Sequence, residues 1–481
     1  MLGYRQVKVM AMPQQRVLSN AVLLSALLCS ASAATGADAL NAQQQRALDI
    51  YKELVEINTV TETGDTARAA DAMAARLRAA GFTAQDVQVF KPAPRKGNLV
   101  ARLRGTGARK PILLLAHVDV VPADPDDWTT DPFRFTEIDG YYYGRGTADN
   151  KSMAASLVAN LIRYKQEGFR PDRDIIVALE TDEETGDDDG WGIQWLLKNQ
   201  RQLIDAEFAL NEGGGVGEKN GKLIRNSVQT SEKVYVTYRL EVKDRGGHSS
   251  VPRQDNAIYH LADGLARLAK FNFPLNLNAT TRAYFEASAK QETPQMAADI
   301  RSVLSNRRDP ASLTRLYANA TYNAQLHTTC VATMLQGGHA ENALPQTASA
   351  MVNCRVMPGE PIEGVLATLT RVLADDRISL NEVAKPVLSM PSVISQELSA
   401  AIQKTTDEIY PGVPIVPIMS AGATDGSFLR NAGIPTFGHT GRAGDVDDVR
   451  AHGQDERVGK KAFFDGQEYL YRLVKRLAES N

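Results

Sequence analysis

The sequence lacks several features that would assign a function directly. Lysine and arginine (54 residues) do not outnumber aspartate and glutamate (57), so nucleic acid is not an expected partner. No GxSxG motif is present, which disfavours a serine hydrolase. The glycine-rich run GGGVGEKNG (213–221) does not have the spacing of a phosphate-binding loop.

The sequence also has no apolar run long enough to span a bilayer. The run AVLLSALLC (21–29) is too short for that role. Basic residues precede it, and the small-x-small motif ASA (31–33) follows it. This order predicts a signal peptide over residues 1–33 and export. A bacterial periplasm is the expected destination, and eukaryotic secretion stays open.

Cysteine is scarce, with three residues in 481, and two of them lie beyond the signal peptide. Cys330 and Cys354 flank a predicted hairpin centred near Asn342 and could face each other on neighbouring strands. A disulfide is permitted in an exported protein. The default expectation is nevertheless two small core residues, because a disulfide requires a specific geometry.

What the sequence does contain predicts a large α/β protein. It has 43% apolar and 23% charged residues, typical of a soluble globular chain. Strands alternate with helices over 34–232 and 387–481, which predicts one α/β domain with a mixed sheet between helices. Residues 233–386 follow a β-α-β-β-α-β order, which predicts a small ferredoxin-like α+β domain. A polar, helical insertion is expected over 273–325.

An acidic stretch follows one of the predicted buried strands. The apolar run IIVAL (175–179) leads into ETDEETGDDD (180–189). In open α/β sheets, ligands bind beyond the carboxyl ends of strands. Histidines and carboxylates recur at comparable strand ends, namely His117, Asp119, Asp149, Glu183, Glu184, Glu212, His439 and His452.

These side chains predict a cation site if they converge. Neighbouring carboxylates repel one another unless cations lie between them. Histidine and carboxylate ligands without a thiolate suit Zn²⁺, with Mn²⁺ or Co²⁺ as substitutes. Each residue alone has a simpler interpretation: Asp149 could cap a helix, Glu212 could punctuate a loop, and an acidic cluster is usually a solvated loop.

Taken together, the motifs resemble the M20 family of di-zinc metallopeptidases. They are AHVDVVP, GRGTADNKS, TDEETG, NEGG, GGHSS, ENALPQ, CRVMPG and AHGQDERV, and the resemblance spans roughly residues 45 to 478. It implies that the α/β domain is a zinc-peptidase catalytic domain, formed by 34–232 and 387–481. The ferredoxin-like domain at 233–386 would be a lid that also supports a homodimer.

The resemblance also implies a ligand for each of two metal ions. His117 and Glu212 would hold one zinc, Glu184 and His452 would hold the other, and Asp149 would bridge them. His439 stays open as a replacement for His452, because it also follows a strand.

Three further residues would serve catalysis. By the same resemblance, Asp119 would orient His117, and Glu183 would be the general base. His248 from the partner subunit would donate to the oxyanion. The remaining acids Asp187 to Asp189 are expected to be solvated.

Arg355, Asn342 and Gly422 resemble the family's substrate-binding positions. Arg355 and Asn342 would hold the substrate's carboxylate and the reacting carbonyl, and Gly422 would receive the carboxylate through its backbone amide. The expected function is cleavage of an amide beside a free carboxylate, in a dipeptide, a peptide's C-terminal residue or an N-acyl amino acid. Two alternatives are a binding protein that keeps metal without catalysis and an α/β protein without metal.

Overall fold

The computed structural model describes residues 40–185, 190–305 and 309–479. The predicted signal peptide and Asp187 to Asp189 lie outside these residues. None of the described helices is long and apolar enough to cross a bilayer.

The described α-helices range in length from four to eighteen residues. They are α1 (Ala42–Glu56), α2 (Thr66–Ala79), α3 (Ser152–Gln166), α4 (Ile193–Asn199), α5 (Arg201–Ile204), α6 (Ala257–Leu268), α7 (Ala279–Ser288), α8 (Pro294–Leu304), α9 (Pro310–Ala318), α10 (Ala320–Leu326), α11 (Ile362–Leu373), α12 (Gln396–Ile409), α13 (Gly426–Asn431) and α14 (Lys460–Leu477).

Within the described residues, the strands form one large sheet and three smaller ones. They are β1 (Val87–Ala93), β2 (Lys96–Leu103), β3 (Ile112–His117), β4 (Thr136–Ile138), β5 (Tyr141–Tyr143), β6 (Ile175–Glu180), β7 (Phe208–Asn211), β8 (Val216–Lys219), β9 (Lys222–Glu232), β10 (Val234–Lys243), β11 (Gly247–His248), β12 (Thr329–Gly337), β13 (Ala343–Leu344), β14 (Thr347–Val356), β15 (Ser379–Glu382), β16 (Ile415–Ser420), β17 (Thr436–Gly438), β18 (Ala443–Asp445) and β19 (Arg457–Gly459).

The large sheet is mixed, as the sequence predicts. In the described residues its strand order is β1-β2-β6-β3-β7-β17-β9-β8-β18, and β16 pairs with β9. Strands β6, β3, β7 and β17 run parallel to one another. Their carboxyl ends therefore meet at one edge of the sheet, which is where α/β proteins bind ligands.

Buried apolar side chains cover both faces of these central strands. Leu113 and Leu115 of β3 pack with Ile176 of β6 in a cluster that includes residues of α4 and α13. Leu114 and Val177, which alternate with them, are buried as well. Strands buried on both faces read as continuous apolar runs, which is why LLLA and IIVAL stand out in the sequence.

A second sheet has the strand order β12-β14-β10-β15 and is antiparallel throughout. With α6 and α11 its elements follow one another as β-α-β-β-α-β. Strand β10 alternates buried and more exposed positions, so that Val236 and Tyr238 face a core shared with both helices while Tyr235 is exposed. One face of this sheet therefore carries helices, and the other face presents side chains such as Tyr235.

The default expectation for the two cysteines is wrong. Cys330 of β12 lies directly opposite Cys354 of β14 in the antiparallel register. Their sulfur atoms form a disulfide. The strand register explains the difference, because it places the two side chains on the same face of neighbouring strands.

The insertion between α6 and β12 is helical, as expected, and consists of α7 to α10. Its core contains Phe285, Ile300 and Leu316 together with Val416 of β16. Gln325 donates to the carbonyl of Met419 at 3.0 Å. The insertion thus leaves the four-stranded sheet and packs on an edge of the large sheet.

Candidate active site

Two histidines and several carboxylates come together where the central strands end. His117 is the last residue of β3, and its Nε2 lies 3.0 Å from Asp149 Oδ1 and 3.3 Å from Glu212 Oε2. Ligand atoms of His117, Glu183 and Glu212 lie within 4.8 Å of one another, as do those of His117, Asp149 and Glu184. Residues from four separate stretches of sequence therefore share one site.

Asp149 lies between the two histidines. Its Oδ1 faces His117 Nε2, while its Oδ2 lies 3.3 Å from His452 Nε2. His452 Nε2 is also 3.0 Å from Glu184 Oε2. The cluster thus has two halves, each with an imidazole and a glutamate, and Asp149 contributes one oxygen to each half.

Asp119 fixes two parts of this cluster. Its carboxylate lies 3.6 Å from His117 Nδ1, and its backbone carbonyl lies 3.1 Å from the same nitrogen. The same carboxylate accepts from the backbone amides of Glu183 at 3.4 Å and Glu184 at 3.1 Å. Asp119 therefore positions the Glu183–Glu184 turn as well as the imidazole.

The cluster is electrostatically crowded. Burial, followed by the charge of Glu212, raises the pKa of Glu183 well above its usual value. Burial also raises the pKa of Glu212 to about 7. Hydrogen bonds to Asp149 and Glu184 raise the pKa of His452 to about 10. Without an added cation, Glu183 and Glu212 therefore hold protons more readily than ordinary carboxyl groups do.

Asp149 differs from Glu183 and Glu212, because its carboxyl group stays ionised. Burial opposes its negative charge, but hydrogen bonds to His117 and His452 outweigh burial and lower its pKa. For His117, burial opposes the positive charge and would lower the pKa of the imidazole. The charge of Glu212 and three hydrogen bonds outweigh burial and raise this pKa.

The donor set fits divalent metal ions. Ligand atoms at about 2.0–2.1 Å from a tetrahedral ion are roughly 3.3 Å apart, close to the separations found here. In the described part of the chain, no lysine or arginine forms an ion pair with Glu183, Glu184 or Glu212. Glu212 and Glu184 pair instead with the imidazoles of His117 and His452, which are groups that can also bind metal ions. Metal binding at this cluster would displace the protons that these groups hold.

The other described acids of the 180–189 stretch have structural partners. Asp182 forms an ion pair with Lys96. Glu180 is buried, accepts from the backbone amide of Ile193 at 2.9 Å, and lies against the carboxyl of Asp425. Burial raises the pKa of both Glu180 and Asp425, so this pair retains a proton.

His248 and Asn342 lie together, in a two-stranded ribbon outside the cluster. His248 of β11 pairs with Ala343 of β13, and Ser249 donates to the carbonyl of Asn342 at 3.0 Å. His248 is exposed, and its Nδ1 accepts from the Ser250 amide at 3.1 Å. The proton is therefore on Nε2, which is left as a donor.

Arg355 and Gly422 also lie outside the cluster. The Arg355 guanidinium lies 4.6 Å from the Tyr235 ring centre, and its Nε donates to Asn353 at 3.2 Å. No carboxylate forms an ion pair with Arg355 in the residues described. The Gly422 amide donates to the Ser420 hydroxyl at 3.1 Å, so this amide already has an acceptor.

His439 occupies the core and not the cluster. Its ring nitrogens lie 3.0 Å from the Ser227 carbonyl and 3.0 Å from the Tyr469 hydroxyl. The structure brings His452, and not His439, to Asp149.

Sequence reasoning missed Glu456, which contacts the Asp149 turn. The residue stands four positions after His452 in the motif AHGQDERV. That proximity was a signal, but nothing in the sequence says which backbone amides the carboxylate accepts from.

A mixed sheet between helices gathers imidazoles and carboxylates at its strand ends, an arrangement suited to holding divalent metal ions. The chain belongs to peptidase family M20/M25/M40, whose family model matches residues 113–476. The expected family and fold class are thereby confirmed, and the protein is an M20-type metallopeptidase or amidohydrolase.

Two relatives and two solved structures show the range of this family. The chain is 31% identical to an N-fatty-acyl-amino acid synthase/hydrolase of Xenopus tropicalis, over 73% of this chain and 69% of the relative. It is 30% identical to a probable carboxypeptidase S-like protein of Dictyostelium discoideum, over 76% and 71%.

The solved structures share the fold. An M20 family metallo-carboxypeptidase of Sulfolobus solfataricus matches with a TM-score of 0.64 and 18% identity, over 89% of this chain and 98% of that one. A dinuclear metal-binding M20 peptidase of Bacillus subtilis matches with a TM-score of 0.58 and 12% identity, over 91% and 99%.

Proposed function

We propose that this protein hydrolyses an amide bond beside a free carboxylate, using two Zn²⁺ ions, for which Mn²⁺ or Co²⁺ can substitute. The observation that carries this proposal is the position of Asp149, whose two oxygens face two different imidazoles. A carboxylate in that position would be able to hold both ions at once.

The proposed ligands divide between the two ions. His117, Glu212 and Asp149 would hold one ion, and Asp149, Glu184 and His452 would hold the other. When bound, the ions would supply Lewis acidity and lower the pKa of water in the site. Asp119 keeps the His117 ring oriented for this role.

Glu183 is the proposed general base. Its carboxylate lies within reach of His117 and Glu212, yet its neighbour Glu184 is the residue that contacts His452. Glu183 would take a proton from the attacking water and pass it to the leaving amine. The protonated Nε2 of His248 would stabilise the oxyanion if the ribbon reaches a site in the partner subunit.

Arg355 is the proposed receptor for the substrate carboxylate. It is half-buried, it stacks on Tyr235, and it forms no ion pair with an acid among the described residues. A guanidinium held over an aromatic ring offers a planar pair of donors that matches a carboxylate. Asn342, next to His248, would bind the reacting carbonyl.

We further propose N-acyl amino acids and small peptides as substrates. One relative is named for N-fatty-acyl-amino acids and another for carboxypeptidase activity, and both descriptions involve an amide beside a carboxylate. Export through the predicted signal peptide and a homodimer formed through the 233–386 domain complete the proposal.

The exposed edge of the four-stranded sheet supports the homodimer. Val331, Met334 and Leu335 of the edge strand β12 are 60%, 57% and 67% exposed. An exposed apolar edge strand is a ready surface for pairing with a second chain.

A substrate panel with and without chelator tests the proposal. We expect release of free amino acid from N-acyl amino acids or dipeptides, lost with chelator and restored by Zn²⁺. Glu183→Ala should reduce kcat at least about 100-fold while zinc content stays near normal. Asp149→Ala should lose metal. Turnover at the wild-type rate by Glu183→Ala would refute the assignment of the base.

A further inference from the structure

Glu456 is a fully buried carboxylate that contacts the turn carrying Asp149. Its Oε1 accepts from the backbone amides of Ala148 at 2.6 Å and Asp149 at 3.0 Å. Its Oε2 accepts from the amide of Gly146 at 3.0 Å and from Arg145 Nη1 at 2.7 Å. Four donors thus converge on one side chain, and three of them are main-chain groups of a single turn.

These amides have few other acceptors available. The turn precedes α3, and Asp149 itself has non-helical backbone angles (φ −129°, ψ 93°). Donors at the start of a helix have no partner within that helix. The Glu456 carboxylate fills this role, and the conformation that Asp149 adopts therefore depends on a residue more than 300 positions away.

The same contacts fasten the segment that carries His452. Arg145 Nη2 donates to the carbonyl of Gly453 at 3.0 Å, and Gly144 donates to the carbonyl of Glu456 at 3.1 Å. His452 adopts a left-handed backbone conformation (φ 62°), which is uncommon outside glycine and is held by its surroundings. Glu456 and Arg145 thus join the His452 segment to the Asp149 turn.

We propose that Glu456 is a positioning residue for the dinuclear centre. It sets the spacing between Asp149 and His452 and thereby the affinity of the site that they share with Glu184. This inference rests on the proposed metal site. A plain structural ion pair would need only the contact with Arg145, whereas three of the four bonds go to the backbone of the turn that ends at Asp149.

Metal affinity measured on the metal-free protein tests this inference. Glu456→Gln keeps the size of the side chain but replaces one acceptor oxygen with a donor, so two of the four donors lose their acceptor. We expect the dissociation constant for Zn²⁺ at one of the two sites to rise about 10- to 100-fold, measured by competition with a chromophoric chelator. The other site shares Asp149 but also has His117 and Glu212, which do not contact Glu456, so its affinity should fall less.

Asp299→Asn is the matched control. Asp299 is also a buried carboxylate bonded to an arginine, Arg315, but it lies in the helical insertion. Asp299→Asn should lower the melting temperature without changing either Zn²⁺ dissociation constant. Glu456→Asp keeps the charge while shortening the side chain, and it should weaken Zn²⁺ binding in the same direction as Glu456→Gln.

The outcomes separate this inference from the proposed function. If Glu456→Gln binds both ions with wild-type affinity, Glu456 is a structural residue and the inference is overturned. If Glu456→Gln does not fold, Glu456→Asp takes its place in the test. Wild-type Zn²⁺ affinity in Glu456→Asp would likewise overturn the inference. If the wild-type protein itself binds no Zn²⁺, the proposed function fails, whatever the variants show.

Discussion

At the scale of single residues, His439 and His452 show what a sequence pattern can and cannot separate. Both come after the run IPTFG (434–438), His439 directly and His452 thirteen residues later, and both could supply a ligand. Only the packing distinguishes them, because His439 lies among Ser227 and Tyr469 in the core while His452 faces Asp149. The histidines and carboxylates at strand ends were identifiable because parallel strands end at one edge. The hydrogen-bond partners of buried acids such as Glu456 could not be identified from the sequence. These partners depend on which backbone amides lack another acceptor in the folded chain.

Burial of His439 predicts a loss of stability in acid. Burial lowers the pKa of His439 from 6.5 to about 4. Between these values the unfolded chain binds more protons than the folded one, so the free energy of unfolding falls as the pH drops through this window. From pH 7 to pH 5 the loss due to His439 is about 2 kcal/mol.

Urea unfolding at pH 7 and pH 5, with chelator present, measures this effect. His439→Asn should reduce the loss of stability between the two pH values by about 2 kcal/mol relative to wild type. His339→Asn, at an exposed position, is the control and should show the wild-type loss. An unchanged loss in His439→Asn would show that the imidazole is not the group responsible.

At the scale of elements, the sequence predicts that the insertion is helical, but it does not predict the surface on which these helices pack. An amphipathic helix reveals which of its faces is buried, but not the surface that covers that face. The sequence order places α7 to α10 between elements of the four-stranded sheet, yet their core includes Val416 of the large sheet. The disulfide is similar, because its formation depends on a strand register that a hairpin prediction leaves undefined.

Excision of the insertion tests its independence from the site. The amide of Asn276 lies 2.8 Å from the carbonyl of Leu326, so the two ends of the insertion meet. Replacing residues 277–325 with a short glycine-serine linker should preserve Zn²⁺ binding. Exposing Val416 alone should lower the free energy of unfolding by about 1.5–3 kcal/mol, measured in urea.

A second variant distinguishes aggregation of the excised protein from a loss of its Zn²⁺ site. Adding Val416→Thr and Ile418→Thr to the excised chain should reduce aggregation without restoring stability. Loss of Zn²⁺ binding in this soluble variant would show that the insertion supports the metal site.

At the scale of the whole molecule, the α/β class and the family followed from the sequence, and both are confirmed. Alternating apolar strands and helices predict a layered fold, and three of the family motifs, AHVDVVP, TDEETG and NEGG, lie where β3, β6 and β7 end. The strand order could not be predicted, because β17 and β9 become neighbours through pairings between distant parts of the chain. Dimerisation and export stay predictions.

Mixing two inactive variants tests the proposed role of His248 across a dimer. Glu183→Ala and His248→Ala should each be inactive alone. If subunits exchange at random, half of the dimers are mixed and each has one intact site, so about a quarter of wild-type activity should return. The control mixes Glu183→Ala with Asp149→Ala, which damage the same site, and it should recover nothing. A mixture without recovery would assign His248 a role within its own chain or none.

The path of the chain between its two main sheets has a mechanical consequence. The backbone passes from the large sheet to the four-stranded sheet after Glu232, leaves for the insertion after α6, returns after α10, and leaves again after β15. The side-chain nitrogen of Lys233 in the first of these connectors donates to the His327 carbonyl in the third, at 2.7 Å. Four connecting segments, two of them joined by a hydrogen bond, should resist rotation of one sheet against the other more than two flexible connecting segments would. We therefore expect rotation of one sheet against the other to strain several of these connecting segments at once, and to be small in amplitude when a substrate enters.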